Sequence, residues 1–293
     1  MEDLVRAIGF ILAAGVVFMS MMVFEAWYLH RKTGKTNYHF GETLANLTTG
    51  ASYKIVDGIA IALFITAFSD MINPYGLGWN PEPSIWAFAI LFVLADLCMY
   101  FNHLAMHKFR WFWATHVTHH SSQHMNLSTA LRQNFLNALN GNWLLMWIPL
   151  SLVGFDKDWI LIAIETNLLY QFFCHTEAVG RLGWIEKIFN TPSHHRVHHG
   201  SNPAQIDRNF GGVFIIWDKI FGTFRDEREA GVIKYGVTRM PAKPLNPFYI
   251  QVYELVSIFK DLWKYKDLRI LYKHPEWVTE KYAKPSKQSS END

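Results

Sequence analysis

Ten of the fourteen histidines stand in two short windows, residues 103–124 and 194–199. Inside them one spacing recurs: His103-x3-His107, His116-x2-His119-His120 and His195-x2-His198-His199. Residues three or four apart on a helix share a face, so each pair aims two imidazoles at one point. Whatever this chain folds into must therefore bring several helices together around both windows. The windows also sit among long apolar stretches, which places a metal site at the edge of a membrane.

The apolar stretches set the rest of the architecture. Residues 7–24 carry no charge over eighteen positions, close to the roughly 20 needed for a helix to cross the hydrocarbon core. Residues 51–68 form a second candidate span, with Lys54 and Asp57 near one end, and residues 85–101 a third, interrupted by Asp96. Residues 142–155 and 159–173 are short and joined by Asp156-Lys157-Asp158, which predicts a helical hairpin. Arg31, Lys32 and Lys35 lie between the first two spans, whereas residues 71–84 contain no Lys or Arg. Because basic residues concentrate in cytoplasmic loops, the N-terminus is expected outside and all the clustered histidines inside. The fold class expected is an all-α integral membrane protein: three transmembrane helices plus a helical hairpin, with a helical, histidine-rich metal domain on the cytoplasmic side. Four segments follow: anchor helices and a basic loop over 1–84, a di-metal domain over 85–224, an amphipathic helical cap over 225–280, and a disordered polar tail over 281–293. The cap either closes over the histidines or lies on the membrane surface.

Composition closes off other readings. Half the chain is hydrophobic and 16% is aromatic, while the net charge is only +2, with no dense basic stripe of the kind nucleic acid requires. The two cysteines, Cys98 and Cys174, stand apart in apolar runs, which argues against disulfides, thiolate zinc and iron–sulfur clusters. The acidic start and the lack of a small-residue cleavage site predict no removable signal peptide.

Any metal is then held by imidazole. One transition-metal ion takes three to six ligands, so eight to ten imidazoles point to two ions, with zinc, iron and copper all open. There is no HExxH, so the helix-borne zinc protease arrangement is missing. A metal pair beside a bilayer suggests oxygen activation on a lipid C–H bond, and without a glycine-rich dinucleotide fingerprint its electrons must come from a separate donor. The expected ligands are His103, His107, His116, His119, His120, His175, His195, His198 and His199. His175 joins them because it leaves the hairpin on the histidine side. His124 and His194 stand open between ligand and support, and His30, His39 and His274 read as ordinary polar residues. Asp96, Tyr100, Glu177 and Asp207 are expected to hydrogen-bond ligand imidazoles. Trp111 to Trp113 reads as an interfacial aromatic belt.

These residues carry a resemblance. Asp96-x3-Tyr100-x2-His103-x3-His107, His116-x2-His119-His120 and His195-x2-His198-His199 resemble the fatty acid hydroxylase superfamily, also called the sterol desaturase family, of membrane di-iron oxygenases. The strings Leu127-Ser-Thr-Ala-Leu-Arg-Gln133, His175-Thr-Glu177, Asn190-Thr-Pro-Ser-His-His195 and Trp217-Asp-Lys-Ile-Phe-Gly-Thr223 are most similar to its alkylglycerol monooxygenase branch. The resemblance implies two iron ions on the cytoplasmic side, for which zinc can substitute in purified protein, and O2 as co-substrate. It implies a lipid substrate that is an ether lipid, a fatty acyl chain or sterol-like. It also implies an external reductant, either tetrahydropterin or a cytochrome- or ferredoxin-type donor. The expected setting is multi-pass, in a bacterial inner membrane or the endoplasmic reticulum. The expected activity is lipid hydroxylation, with desaturation on the same site and a histidine-lined metal or proton transporter as the alternatives.

Overall fold

A computed structural model describes residues 2–79 and 81–282, residues 2–14 by their backbone alone. Every regular element among them is helical. The only β pairing is two isolated bridges, Phe189 with Phe214 and Gly200 with Tyr235. The main helices are α1 (Glu2–Thr33), α2 (Phe40–Tyr75), α3 (Ile85–Lys108), α4 (Arg110–His120), α5 (Leu144–Val153), α6 (Lys157–Cys174), α7 (Pro192–His198), α8 (Ile216–Phe221) and α9 (Tyr249–Tyr265).

Two of these, α2 and α3, are long and apolar enough to cross a bilayer. Only 17% of the apolar stretch of α2 and 39% of that of α3 is buried by protein, so the rest needs a hydrocarbon neighbour. The first expected span lies in α1, but side chains 7–14 are outside the described residues. The hairpin forms as α5 and α6, and α5, at ten residues, is roughly 15 Å long, half a bilayer core. Gly154 ends α5 in the left-handed conformation (φ 111°), where a Cβ would stand 1.9 Å from the Trp79 carbonyl oxygen. Asp156 then caps α6 by accepting from the Asp158 and Trp159 amides.

Helix α2 starts eleven residues before the expected span at 51. Its first turns carry Glu42, Asn46 and Thr49, at helical spacing and buried, and these bind the histidine-bearing half of the molecule. Glu42 accepts from Ser122 Oγ and the Gln123 amide, both at 2.7 Å, and Asn46 donates to Ser128 Oγ at 3.0 Å. Apolar periodicity could not show this extension because the buried face there is polar. Farther along, α2 loosens into a π turn at Ile61–Ile65, where the Ile61 carbonyl accepts from both the Thr66 amide and, at 3.0 Å, Thr66 Oγ1. The apolar core of the membrane half gathers Ile65 from α2, Leu91, Ala95 and Met99 from α3, Trp147 and Leu150 from α5, and Ile160 and Ala163 from α6.

Beyond this core α3 continues straight to Lys108, so His103 and His107 ride its last turns. Phe109 takes an extended backbone and the chain turns back as α4; the expected aromatic link Arg110 to Trp113 is itself the first turn of that helix. Arg110, 1% exposed, locks α4 to α9, donating to Glu254 Oε1 at 2.8 Å, Asp261 Oδ2 at 2.7 Å and Ser257 Oγ at 3.1 Å. The last helix ends at Tyr282, so Lys281 and Tyr282 of the expected tail are helical, and residues 283–293 lie outside the described residues.

Arg110→Leu leaves two carboxylates facing each other without their cation. It is expected to cost about 3 kcal/mol of stability, read as a lowered unfolding midpoint of the purified protein. Arg110→Lys, which cannot fork to both acids, recovers only part of that loss.

Candidate metal centre

The chain brings nine imidazoles into two groups: His103, His107, His116, His120 and His198, and His119, His175, His195 and His199. Within each group one nitrogen from every ring lies within 4.8 Å of the others, and all nine residues are buried. Helix α3 supplies two rings and α4 three, while α7 supplies His195 and His198, with His199 as its C-cap. His175 is the C-cap of α6. His119 and His120 are sequence neighbours, so their side chains diverge along α4 and each joins a different group. The groups share a wall there, with the His120 ring stacked on His199 at 4.5 Å.

The inner nitrogens face one another. In the first group Nε2 of His103 and His116 are 3.0 Å apart, those of His116 and His120 3.1 Å, and those of His107 and His120 3.2 Å. In the second, Nε2 of His119 and His175 are 3.1 Å apart, those of His175 and His195 2.8 Å, and those of His195 and His199 3.1 Å.

The outer nitrogens decide what that closeness means. His119 Nδ1 donates to the Arg132 carbonyl at 3.2 Å and His175 Nδ1 to the Gln171 carbonyl at 2.7 Å. A carbonyl oxygen only accepts, so in both rings the proton sits on Nδ1 and Nε2 presents a bare lone pair. Burial pushes His119 well below the usual imidazole range and His175 down to about 4, so neither relieves the clash by taking a second proton. Burial likewise keeps His116, His120, His195, His198 and His199 neutral. Two lone pairs 3.1 Å apart repel, and a cation between them turns repulsion into ligation. The same holds for His198, whose Nδ1 donates to the Arg208 carbonyl at 2.8 Å and whose buried Nε2 has no partner. Imidazole nitrogens about 2.1 Å from one ion lie about 3.0 Å apart at right angles and about 3.4 Å apart at tetrahedral angles. The observed spacings match the right-angled case. Both groups could hold a metal.

One irregular segment, residues 207–214, orients the first group. Besides the Arg208 carbonyl, it offers the Phe210 carbonyl to His103 Nδ1 at 2.9 Å and Asp207 Oδ1 to His107 Nδ1 at 3.3 Å. Asp207 and Asn209 adopt φ of 59° and 57°, a region these short polar residues tolerate. Burial would raise the Asp207 carboxyl, but hydrogen bonds from His107 and His274 and the Lys108 ammonium hold it well below the usual range. His274, read as an ordinary polar residue, thus reaches Asp207 at 3.4 Å.

The other expected supports reach no ligand ring. Asp96 lies seven residues below His103, about 10 Å along the helix. It accepts instead from the Val213 amide at 2.7 Å, the Phe214 amide at 2.9 Å, Trp217 Nε1 at 2.8 Å and Asn167 Nδ2 at 2.6 Å. Its effect on the site passes through the loop it pins. Tyr100 hydrogen-bonds Thr223 Oγ1 at 3.0 Å and stacks on Phe221. Glu177 accepts from Asn37 and from Tyr235 at 2.8 Å. His124 lies past the end of α4, its Nδ1 on Glu42 and its ring against His39. His194 points the other way around α7, against Phe224. Trp113, expected in an interfacial belt, packs on His107 and His120 with ring centroids 5.2 and 5.6 Å away.

Sequence reading missed Asp218, which accepts from the Phe210 and Gly211 amides, both at 2.7 Å, and so fixes the carbonyl that holds His103. An acid inside the aromatic run Trp217 to Phe221 was the available signal. The carbonyls of Arg132, Gln171, Arg208 and Phe210 leave no mark in a sequence. A cavity of about 90 Å³ opens beside the first group, walled by His107, Trp113, His120, His198, Tyr253 and Glu254.

The fatty acid hydroxylase family model matches residues 88–223, the segment from early α3 to two residues past α8. Over those residues the chain is similar to a fatty acid hydroxylase domain. It is 37% identical to alkylglycerol monooxygenase of Homo sapiens over 267 residues, which is 89% of this chain and 58% of that protein. It is 26% identical to ornithine lipid hydroxylase OlsE of Rhizobium tropici over 78% of this chain and 68% of that one. To cholesterol 25-hydroxylase of Rattus norvegicus it is 30% identical over 46% of each. The chain therefore spans a little over half the length of the alkylglycerol monooxygenases it matches. No solved structure matches it.

Two groups predict two ions per chain in the metal-replete protein. His116→Ala and His195→Ala are each expected to lower the metal-to-protein ratio measured by elemental analysis from two to one, while His124→Ala leaves it at two.

Proposed function

We propose that the protein is a membrane-bound oxygenase that inserts one atom of O2 into a C–H bond of a lipid, using two iron ions and an external reductant. The observation that carries this reading is the pair of buried, all-imidazole groups at the end of an apolar helix, in a chain similar to three kinds of lipid oxygenase. Iron held there would supply the activation of O2 that an unreactive alkyl carbon requires.

The chain's own residues supply the rest. His103, His107, His116, His120 and His198 would bind one ion and His119, His175, His195 and His199 the other. The carbonyls of Arg132, Gln171, Arg208 and Phe210 keep the Nδ1 protons of His119, His175, His198 and His103 in place, so that the Nε2 of each of these four rings stays free to ligate. Burial of all nine rings keeps bulk water from the reacting carbon. Helix α3, about 36 Å long, separates the Lys- and Arg-free loop before Ile85 from His107. That distance supports a multi-pass topology with the site on the cytoplasmic side. The cavity beside His107, His120 and His198 is the approach for the electron donor, a tetrahydropterin or a cytochrome- or ferredoxin-type protein.

Clustering at one end of the spans disfavours a transporter, whose histidines would be distributed along a path through them. Membranes with and without the protein, supplied with isotopically labelled O2, are expected to differ by label in one lipid class, and His119→Ala abolishes that label. An unlabelled lipid gaining a double bond would mean desaturation, and no lipid change with intact metal would contradict the proposal.

A further inference from the structure

Helix α1 is fastened to the body at Met22, Glu25 and Leu29, each under 5% exposed, yet it does not close against the end of α6. Between them lies a cavity of about 460 Å³, bounded by Met21 and Phe24 of α1 and by Phe173 and Val179 across from them. We propose that this groove holds the alkyl chain of a membrane lipid and guides it to the second histidine group. The inference rests on the lipid-oxygenase reading above.

Three observations commit the groove to a lipid chain. Its walls are mostly apolar, with Ser20, Glu25, Tyr28 and Thr176 the polar members, and a cavity so lined accepts hydrocarbon. Its rim is open: Phe24 is 61% exposed and Phe173 44%, and this surface runs on into exposed Val16, Val17 and Val23 of the same helix. Such a continuous apolar surface is covered by lipid, so a chain enters sideways without crossing water. Its lining includes Thr176, the residue after His175 in the second histidine group. There Glu25 accepts from Thr176 Oγ1, from the Tyr38 hydroxyl and, at 2.8 Å, from the Leu127 amide. That bonding fixes the inner wall at the join of α1, the segment after His124 and the segment after His175.

The test uses the metal-loaded, full chain in lipid nanodiscs with an alkyl lipid bearing a diazirine on its chain. Photolabel is expected on Met21, Phe24, Phe173 and Val179. Ala178→Trp fills the groove and is expected to lower that labelling and raise KM for a long-chain lipid by about tenfold, with metal content unchanged. Met19→Trp, on the outer face of α1, changes neither. Label spread evenly over the outer face of α1, or groove labelling unaffected by Ala178→Trp, overturns the inference. Should Ala178→Trp fail to fold, the wild-type label map still decides. Label in the groove with no oxygen insertion into any lipid would refute the oxygenase reading and leave the groove standing.

Discussion

The structure depends on a repulsion: buried imidazoles whose outer protons are fixed by main-chain carbonyls present bare Nε2 lone pairs to neighbouring rings in a dry interior. His119 and His175 show it most plainly, because a carbonyl fixes the proton of each on the far side of the ring. Such an arrangement is stable only with a cation at its centre and a rigid frame at its rim. Much of the chain's polar chemistry is that frame. Asp96 and Asp218 sit inside an apolar half of the molecule, where lone carboxylates are costly. Each is satisfied by backbone amides of the segment that presents the Arg208 and Phe210 carbonyls. Arg132, almost fully buried, does the same on the other side, donating to the Thr118 and Pro244 carbonyls and to Asn46 while its own carbonyl holds His119.

The membrane half and the metal half are joined by shared helices and not by a linker. Helix α3 begins among exposed apolar residues and ends in two of the clustered histidines, and α2 joins an exposed apolar stretch to a polar buried face that grips the loop around Ser122. Under the proposed reading, this continuity would give a lipid substrate a short route from bilayer to metal. It also explains why the family match begins inside an apolar helix at residue 88 and not at the first histidine.

Much of this was legible in the sequence, for physical reasons. Imidazoles at i, i+3 and i+4 force a shared face, so the three histidine boxes announce the two groups. His175 was recoverable because an apolar hairpin must return its end to the side it left. The supports were harder to read. Asp96 was visible as a costly charge in an apolar helix, but two of its four partners are main-chain amides more than 110 residues away. His124 continues the spacing of α4 by number alone; the helix stops at His120, and His124 turns to Glu42. Helix α2 was read too short because its first turns bury polar residues, which periodicity of apolar residues does not register.

The most direct test of the account is metal-edge anomalous scattering from crystals of the metal-replete protein. The account predicts two peaks per chain, one within ligation distance of Nε2 of His103, His107, His116, His120 and His198, the other of His119, His175, His195 and His199. A single peak, or ions bound at Glu42 or Asp207 with the imidazole groups left hydrogen-bonded to one another, would contradict it.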